Sequence, residues 1–240
     1  MVVNRSSSAS NSSTNASGIS TKERILVTSL ELFNVHGERN VTTNRIADEL
    51  GISPGNLYYH FRNKGDIIFA LFERYQSTVE AFLQVPQGRP LTWQDKVGYF
   101  ESILQGMWGA RFLHREMNHL LNQDTRLRSS YGDFVQRSLA QGLRVYKGLR
   151  EAGLIELTDE QMQALLMNTW VVAASWAGFV HGMVPLERHH EALDRTLLRQ
   201  GIYQLVCLEE PYLRGVALEH LAAMKARYSS GTTLDLLFGG

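Results

Sequence analysis

The most informative segment of the chain is VTTNRIADELGISPGNLYYHFRNKGDIIFAL, residues 41–71. A short helix is predicted to begin near Thr43 and to end before Gly51, because glycine commonly follows the last residue of a helix. A second helix is predicted to begin at Ser53 and Pro54, since serine caps a helix N-terminus and proline at the first helical position needs no N–H donor. Two short helices joined in this way form a helix-turn-helix, whose second helix enters the major groove of DNA.

The second helix of this pair has a core face and an outer face. At about 100° per residue, Leu57 and Phe61 share the core face. Gly55, Asn56 and Tyr59 then lie on the opposite arc. A glycine there lets the backbone approach the groove, and an asparagine can form two hydrogen bonds with an adenine edge. A small helical hairpin with a polar outer face remains the alternative interpretation.

Two residues beside this helix are candidates for phosphate contacts. Thr43 offers a hydroxyl and backbone N–H groups at a helix start, and Lys64 supplies a positive charge at the start of the next predicted helix. The overall composition gives no support to DNA binding, because 24 basic residues balance 24 acidic ones. Nucleic-acid binders often carry an excess of positive charge.

The run Leu-Tyr-Tyr-His-Phe at 57–61, followed by Asn-Lys at 63–64, is a specific motif. With it, the segment 21–75 resembles the DNA-binding domain of the tetracycline-repressor (TetR) family. The resemblance implies an all-α protein with an N-terminal three-helix helix-turn-helix domain and a C-terminal helical domain for ligand binding and dimerisation. It also implies DNA contacts at the start of the second helix by Thr43 and Asn44, base contacts by Pro54, Gly55 and Asn56, and mainly phosphate contacts by Tyr58, Tyr59, His60 and Lys64.

Composition and periodicity predict four segments. Residues 1–19 are polar with almost no apolar side chains, which predicts a disordered tail. A capping box at Ser20 begins the DNA-binding domain, 20–75, and a second set of helices is predicted over 76–228. The resemblance implies that 76–228 is the ligand-binding and dimerisation domain. Residues 229–240 are predicted to be a flexible C-terminus. The helices of the second domain are predicted near 92–110, 112–121, 124–152, 158–181, 190–208 and 211–228.

Aromatic residues are frequent in the second domain. Aromatic side chains at helical spacing either fill a core or line a pocket for a hydrophobic effector, and for any single residue the core is the commoner role. The resemblance nevertheless implies an internal pocket. The residues expected to line it are Trp108, Phe112, Tyr131, Phe134 and Trp170.

Other chemistry receives little support. His114 and His119 lie about 140° apart on one helix, a poor geometry for a shared ion, so we expect no metal or other cofactor. Four arginines could hold an acidic head group, but solvated faces are the commoner role of such charges; they are Arg111, Arg115, Arg126 and Arg128. Cys207 has no polar partner nearby in sequence, so no enzyme is expected.

The predicted helix at 158–181 is apolar nearly all round and contains small residues. Such a helix needs burial on every side. Packed with the helix at 190–208 against the same pair of a second chain, it would complete the four-helix bundle of a homodimer; the alternative is burial within its own domain. The apolar run Leu165–Val180 is too short to span a bilayer, and the N-terminus has no apolar signal segment, so we expect a cytoplasmic protein without a membrane partner.

These features together predict a sequence-specific, DNA-binding transcriptional regulator, most simply a repressor released by a small hydrophobic effector. Its expected partners are a double-stranded DNA operator, that effector and a second copy of the chain. A ligand-independent architectural or cell-division-associated DNA-binding protein on the same fold is the alternative. An enzyme or carrier that uses the aromatic pocket is a third interpretation.

Overall fold

The computed structural model describes residues 18–185, 187, 191–229, 235 and 237. The chain forms two compact units, Met1–Leu71 and Phe72–Gly240. The described part of the chain contains helices and no β-strand, so the predicted all-α fold is confirmed. Most of the tails predicted over 1–19 and 229–240 lie outside the described residues.

The first unit consists of short helices with well-defined ends. Ser53 accepts a hydrogen bond from the backbone N–H of Asn56 at 3.2 Å, which caps the helix of the predicted recognition segment. Gly51 has a φ of 64°, a left-handed conformation that glycine adopts without steric cost, and it ends the preceding helix. The elements are α1 (Thr21–His36), a 3-10 turn (Glu38–Asn40), α2 (Thr43–Leu50) and α3 (Pro54–His60).

The core of the first unit fixes which side of α3 is free. Ile25, Phe33 and Ile46 are completely buried. Leu57 is also completely buried and Phe61 nearly so, which confirms the prediction that this face of α3 points to the core. The opposite side of α3 is therefore left at the surface.

The second unit is a larger assembly of helices. The helix α4 (Lys64–Phe82) contains the boundary between the two units. The remaining helices are α5 (Trp93–Gly109), α6 (Arg111–Gln123), α7 (Thr125–Glu151), α8 (Asp159–Met183), α9 (Glu191–Glu209), α10 (Gly215–Glu219) and α11 (Leu221–Tyr228).

Small residues let α8 approach its neighbours within the same chain. A Cβ atom at Gly178 would lie 3.3 Å from the carbonyl oxygen of His114 on α6. At Gly201 of α9, a Cβ would lie 2.6 Å from the ring of Trp176 on α8, and the indole of Trp176 donates to the carbonyl of Leu197 at 2.6 Å. Part of the small-residue pattern thus serves packing inside this unit.

The prediction of a single helix over 211–228 is wrong. A 3-10 turn (Glu210–Tyr212) and the separate helices α10 and α11 occupy this segment. The backbone N–H of Arg214 donates to Leu154 and that of Glu156 donates to Tyr212, so the chain leaves the helical path to pair with the loop after α7. Gly215, with a φ of 52°, makes the next turn possible.

Candidate nucleic-acid interface and internal cavity

The outer side of α3 is a continuous exposed surface. Pro54, Gly55 and Asn56 are all exposed in its first turn. Tyr58 is exposed as well, and Tyr59 is 86% exposed to solvent. A large aromatic side chain that is exposed to this extent contributes little to folding, so it is available for contact with another molecule.

The start of α2 lies beside this surface. The hydroxyl groups of Thr43 and Tyr58 share a hydrogen bond of 2.9 Å, so the structure brings these two predicted site residues together. Asn44 is exposed next to Thr43. His60 is half-buried and its ring packs edge-on against Tyr59 with centroids 5.1 Å apart. Backbone N–H groups at two helix starts and these polar side chains suit a phosphate backbone.

Lys64 is used within the first unit. Its ammonium donates to the carbonyl oxygens of Glu38 at 3.0 Å and Val41 at 3.1 Å, and lies 2.6 Å from the Glu38 carboxylate. An ammonium has three N–H donors, so all three are used. The phosphate role of Lys64 stays a prediction, whereas its contacts give it a structural role.

Two exposed cations lie outside the set of residues predicted to contact DNA. Arg45, on α2, and Arg62, directly after α3, are both exposed and have no ion-pair partner among the described residues. Their exposure is known only from the folded structure, although both arginines lie within residues 41–71. Their positive charges are available for contact with an anionic partner, whereas that of Lys64 is paired with Glu38.

The second unit contains a cavity of about 150 Å³. Its walls come from α4 to α9 and are mainly apolar. Three of the five residues predicted to line a pocket do so: Tyr131, Phe134 and Trp170. Trp108 does not; the guanidinium groups of Arg111 and Arg195 lie over its ring instead, at 4.3 and 4.6 Å from the centroid. Phe112 is completely buried in the packing of α6 instead.

Aromatic rings form one side of this cavity. The ring of Phe134 contacts those of Tyr75 and Trp170, each at a centroid distance of 5.8 Å. Tyr75 also packs edge-on against His114 at 5.3 Å. Burial raises the pKa of Tyr75 well above its ordinary value, so the phenol stays protonated. No local pattern places Tyr75 and His114 in this group, because they lie far from Phe134 and Trp170 in the chain.

A polar cluster occupies another part of the wall. Lys96 on α5 and Glu209 on α9 form a buried ion pair. The hydroxyl of Tyr146 donates to Glu209 at 2.7 Å and shares a hydrogen bond of 3.0 Å with Thr169. Burial, followed by the nearby Glu209 carboxylate, raises the pKa of Tyr146 well above its usual value. The pairing neutralises both buried charges.

Two polar atoms beside the cavity lack a protein partner. They are Nε2 of His114 and the hydroxyl oxygen of Ser138, both buried. The carbonyl of Ala174 accepts a hydrogen bond from the His114 ring. Burial nevertheless lowers the pKa of His114 to about 4, so the imidazole is neutral at pH 7.

No group of three or more histidine, cysteine or acidic side chains is placed to hold a metal ion in the parts of the chain that the structure describes. α8 is longer than the apolar run seen in the sequence, and by length and composition alone it could cross a membrane. A core helix of a soluble protein has the same properties, and α8 packs against α6, α7 and α9.

Family models match most of the chain. A model described as bacterial regulatory proteins, tetR family, matches residues 25–71, and one described as bacterial transcriptional repressor matches residues 74–221. An HTH-type transcriptional regulator of Staphylococcus aureus is 40% identical over 68 residues, which are 28% of this chain. The match spans only 37% of that relative's length.

Solved structures extend the likeness to the second unit. A TetR-family transcriptional regulator from Marinobacter aquaeolei is 43% identical, with a TM-score of 0.78 over 88% of this chain and 99% of the other. One from Pectobacterium atrosepticum shares the fold at 17% identity, with a TM-score of 0.56 over 80% of this chain and 94% of the other. The helix-turn-helix, the helical second unit and these matches agree, and the chain belongs to the TetR family of bacterial transcriptional regulators.

Proposed function

We propose that this protein is a sequence-specific DNA-binding repressor that a small hydrophobic effector releases from its operator. The observation that carries the proposal is the exposed face of α3. There Tyr59 is 86% exposed, while Leu57 on the opposite side of the helix is completely buried. A recognition helix needs such a division, because one face must be fixed in the core while the other enters the major groove.

The proposed DNA contacts fall into two classes. Gly55 and Asn56 face the bases together with Pro54, since all three are exposed in the first turn of α3. Phosphate contacts come from the surrounding polar side chains and helix starts. These are Thr43, Asn44, Tyr58, Tyr59 and His60, to which the exposed Arg45 and Arg62 are added.

Self-association through α8 is part of the proposal. Its outward side carries Met167, Val171 and Phe179, which are all about half exposed. These residues follow one another at intervals of one or two turns, so they form a single apolar stripe. A second copy of the chain is the occupant that fits, because two half-sites on DNA require two recognition helices.

The cavity of the second unit is the proposed effector site. Its volume of about 150 Å³ and its aromatic wall suit an apolar molecule. Release of DNA requires that this molecule bind one conformation of the protein more tightly than the other. An architectural protein on the same fold would bind DNA without such a response.

Fluorescence anisotropy with the full chain tests DNA recognition. DNA from beside the protein's own gene is compared with a scrambled duplex at two salt concentrations. We expect tight binding to the first duplex alone, weakening steeply with salt as phosphate contacts require. Tyr59→Ala should weaken binding at least about tenfold without lowering the melting temperature. Val35→Ala, an exposed position on α1, is the matched control.

Two outcomes would contradict the proposal. Equal, weak binding to both duplexes would show that the protein does not recognise this DNA sequence. Tight binding that is unchanged in Tyr59→Ala would contradict the assignment of α3 as the recognition helix. If binding is specific but no apolar compound alters it, the architectural alternative gains support.

A further inference from the structure

Polar groups without partners are informative in a wall that is otherwise apolar. A buried polar atom without a hydrogen bond is costly, so such atoms are few and each calls for an explanation. Nε2 of His114 and the hydroxyl oxygen of Ser138 are of this kind. Tyr146, Thr169 and Glu209 satisfy one another nearby, so they place no demand on a ligand.

The state of the His114 ring fixes what it can bind. One ring nitrogen donates to the carbonyl of Ala174, and Nε2 is the nitrogen that has no partner. With the pKa lowered to about 4, the ring carries a single proton at pH 7. Nε2 therefore has no hydrogen and is an acceptor. Its missing partner is a hydrogen-bond donor.

The charges around the cavity are already balanced. Lys96 and Glu209 are the charged side chains among the described residues that line it, and they form an ion pair with each other. A carboxylate or ammonium on a ligand would have to break that pair or remain buried without a counter-charge, and both are costly. The cavity therefore favours an uncharged molecule.

The volume of the cavity limits the size of the ligand's apolar part. A volume of about 150 Å³ equals that of an engineered apolar cavity that takes up benzene. The rings of Tyr75, Phe134 and Trp170 offer edge-on and stacked contacts to an aromatic ring. Met117 adds a flexible side chain that adapts to small differences in shape.

We propose that the cavity binds an uncharged, largely apolar molecule the size of one substituted aromatic ring, whose hydroxyl group donates a hydrogen bond to Nε2 of His114. The proposal rests on the proposed function in that it identifies the chemical class of the effector. Because Nε2 is covered in the structure, the neighbouring side chains must move slightly to admit the hydroxyl.

Isothermal titration calorimetry of the full chain at pH 7 tests this with three probes that share the same 4-butylphenyl group. They are 4-butylphenol, 4-butylanisole and 4-butylbenzoate. The anisole retains the oxygen but lacks the donor, and the benzoate is charged. We expect the phenol to bind at least about tenfold more tightly than either, since a buried acceptor is left unpaired in both other complexes. Equal affinity of phenol and anisole, tightest binding of the benzoate, or binding of none of the three would overturn the proposal.

Two variants locate the hydrogen bond. His114→Phe keeps a ring against Tyr75 but removes the acceptor, so the preference for phenol over anisole should disappear. Ser138→Ala removes the other unpartnered group and should leave the preference intact. The opposite result, with the preference lost only in Ser138→Ala, would overturn the assignment to His114. The comparison of phenol with anisole in the unmodified chain does not depend on whether either variant folds.

DNA binding, measured separately, distinguishes this inference from the proposed function. If the phenol binds with the expected preference but leaves the DNA complex intact, the ligand class stands and the release of DNA by the ligand fails. If the phenol fails to bind while DNA recognition is specific and a charged compound releases it from within the cavity, the ligand class fails and the proposed function stands.

Discussion

Replacing Lys64 with methionine separates two roles for this residue, structural and phosphate-binding. The ammonium makes two hydrogen bonds to backbone carbonyls and an ion pair with Glu38, whose side chain is only 7% exposed, while that of Lys64 is 29% exposed. Removing one member of a buried pair costs about 3–5 kcal/mol, and partial exposure of Lys64 reduces this to about 2–3 kcal/mol. Lys64→Met should therefore destabilise the helix-turn-helix by that amount.

Amide hydrogen exchange of the full chain measures this loss where it occurs. A loss of about 2–3 kcal/mol in local opening free energy speeds exchange about 30- to 150-fold, and we expect this over residues 43–60. Arg62→Met is the matched control, because it removes an equal charge from an exposed side chain two residues away. It should leave exchange unchanged and weaken DNA binding.

One result would refute the structural role. If Lys64→Met exchanges at the rate of the unmodified chain while its DNA affinity falls at least about tenfold, the ammonium binds phosphate in solution rather than Glu38. Glu38→Gln provides a second check, since it keeps the backbone carbonyl and removes the carboxylate. It should speed exchange in the unmodified chain and have a smaller effect in the Lys64→Met background.

Two further predictions concern the second unit. Val171→Glu places a charge in the apolar stripe of α8, so light scattering should show monomers where the unmodified chain forms dimers, with loss of tight DNA binding; Gln136→Glu, exposed on α7 and outside this stripe, should remain dimeric. A dimer that persists in Val171→Glu would argue against this face. For His114, the folded pKa of about 4 lies below the unfolded value of about 6.5. The unfolded chain binds the extra proton more readily between these values, so stability should fall by about 2–3 kcal/mol as the pH drops from 7 to 4.5. Urea unfolding should show a smaller fall in His114→Phe, and an equal fall would contradict the assignment.

Much of the first unit followed from the sequence because its signals are local. Ser53, Pro54 and Gly51 define the ends of their helices through contacts within three or four residues, and helical periodicity separates Leu57 from Tyr59. The same rules failed in the segment after α9. There the backbone of Arg214 pairs with Leu154, a partner that no local pattern reveals.

The all-helical class, the helix-turn-helix and the outer face of α3 could be predicted from the sequence alone, since each depends on caps and periodicity within one segment. Only the folded chain shows that Lys64 binds Glu38 and that Trp108 packs against Arg111 and Arg195 outside the cavity. It also shows that Lys96 meets Glu209, 113 residues away in sequence. The physical reason is that a charge or a ring acquires its role from whichever partner packing brings within a few ångströms, and helix periodicity carries no information about that partner.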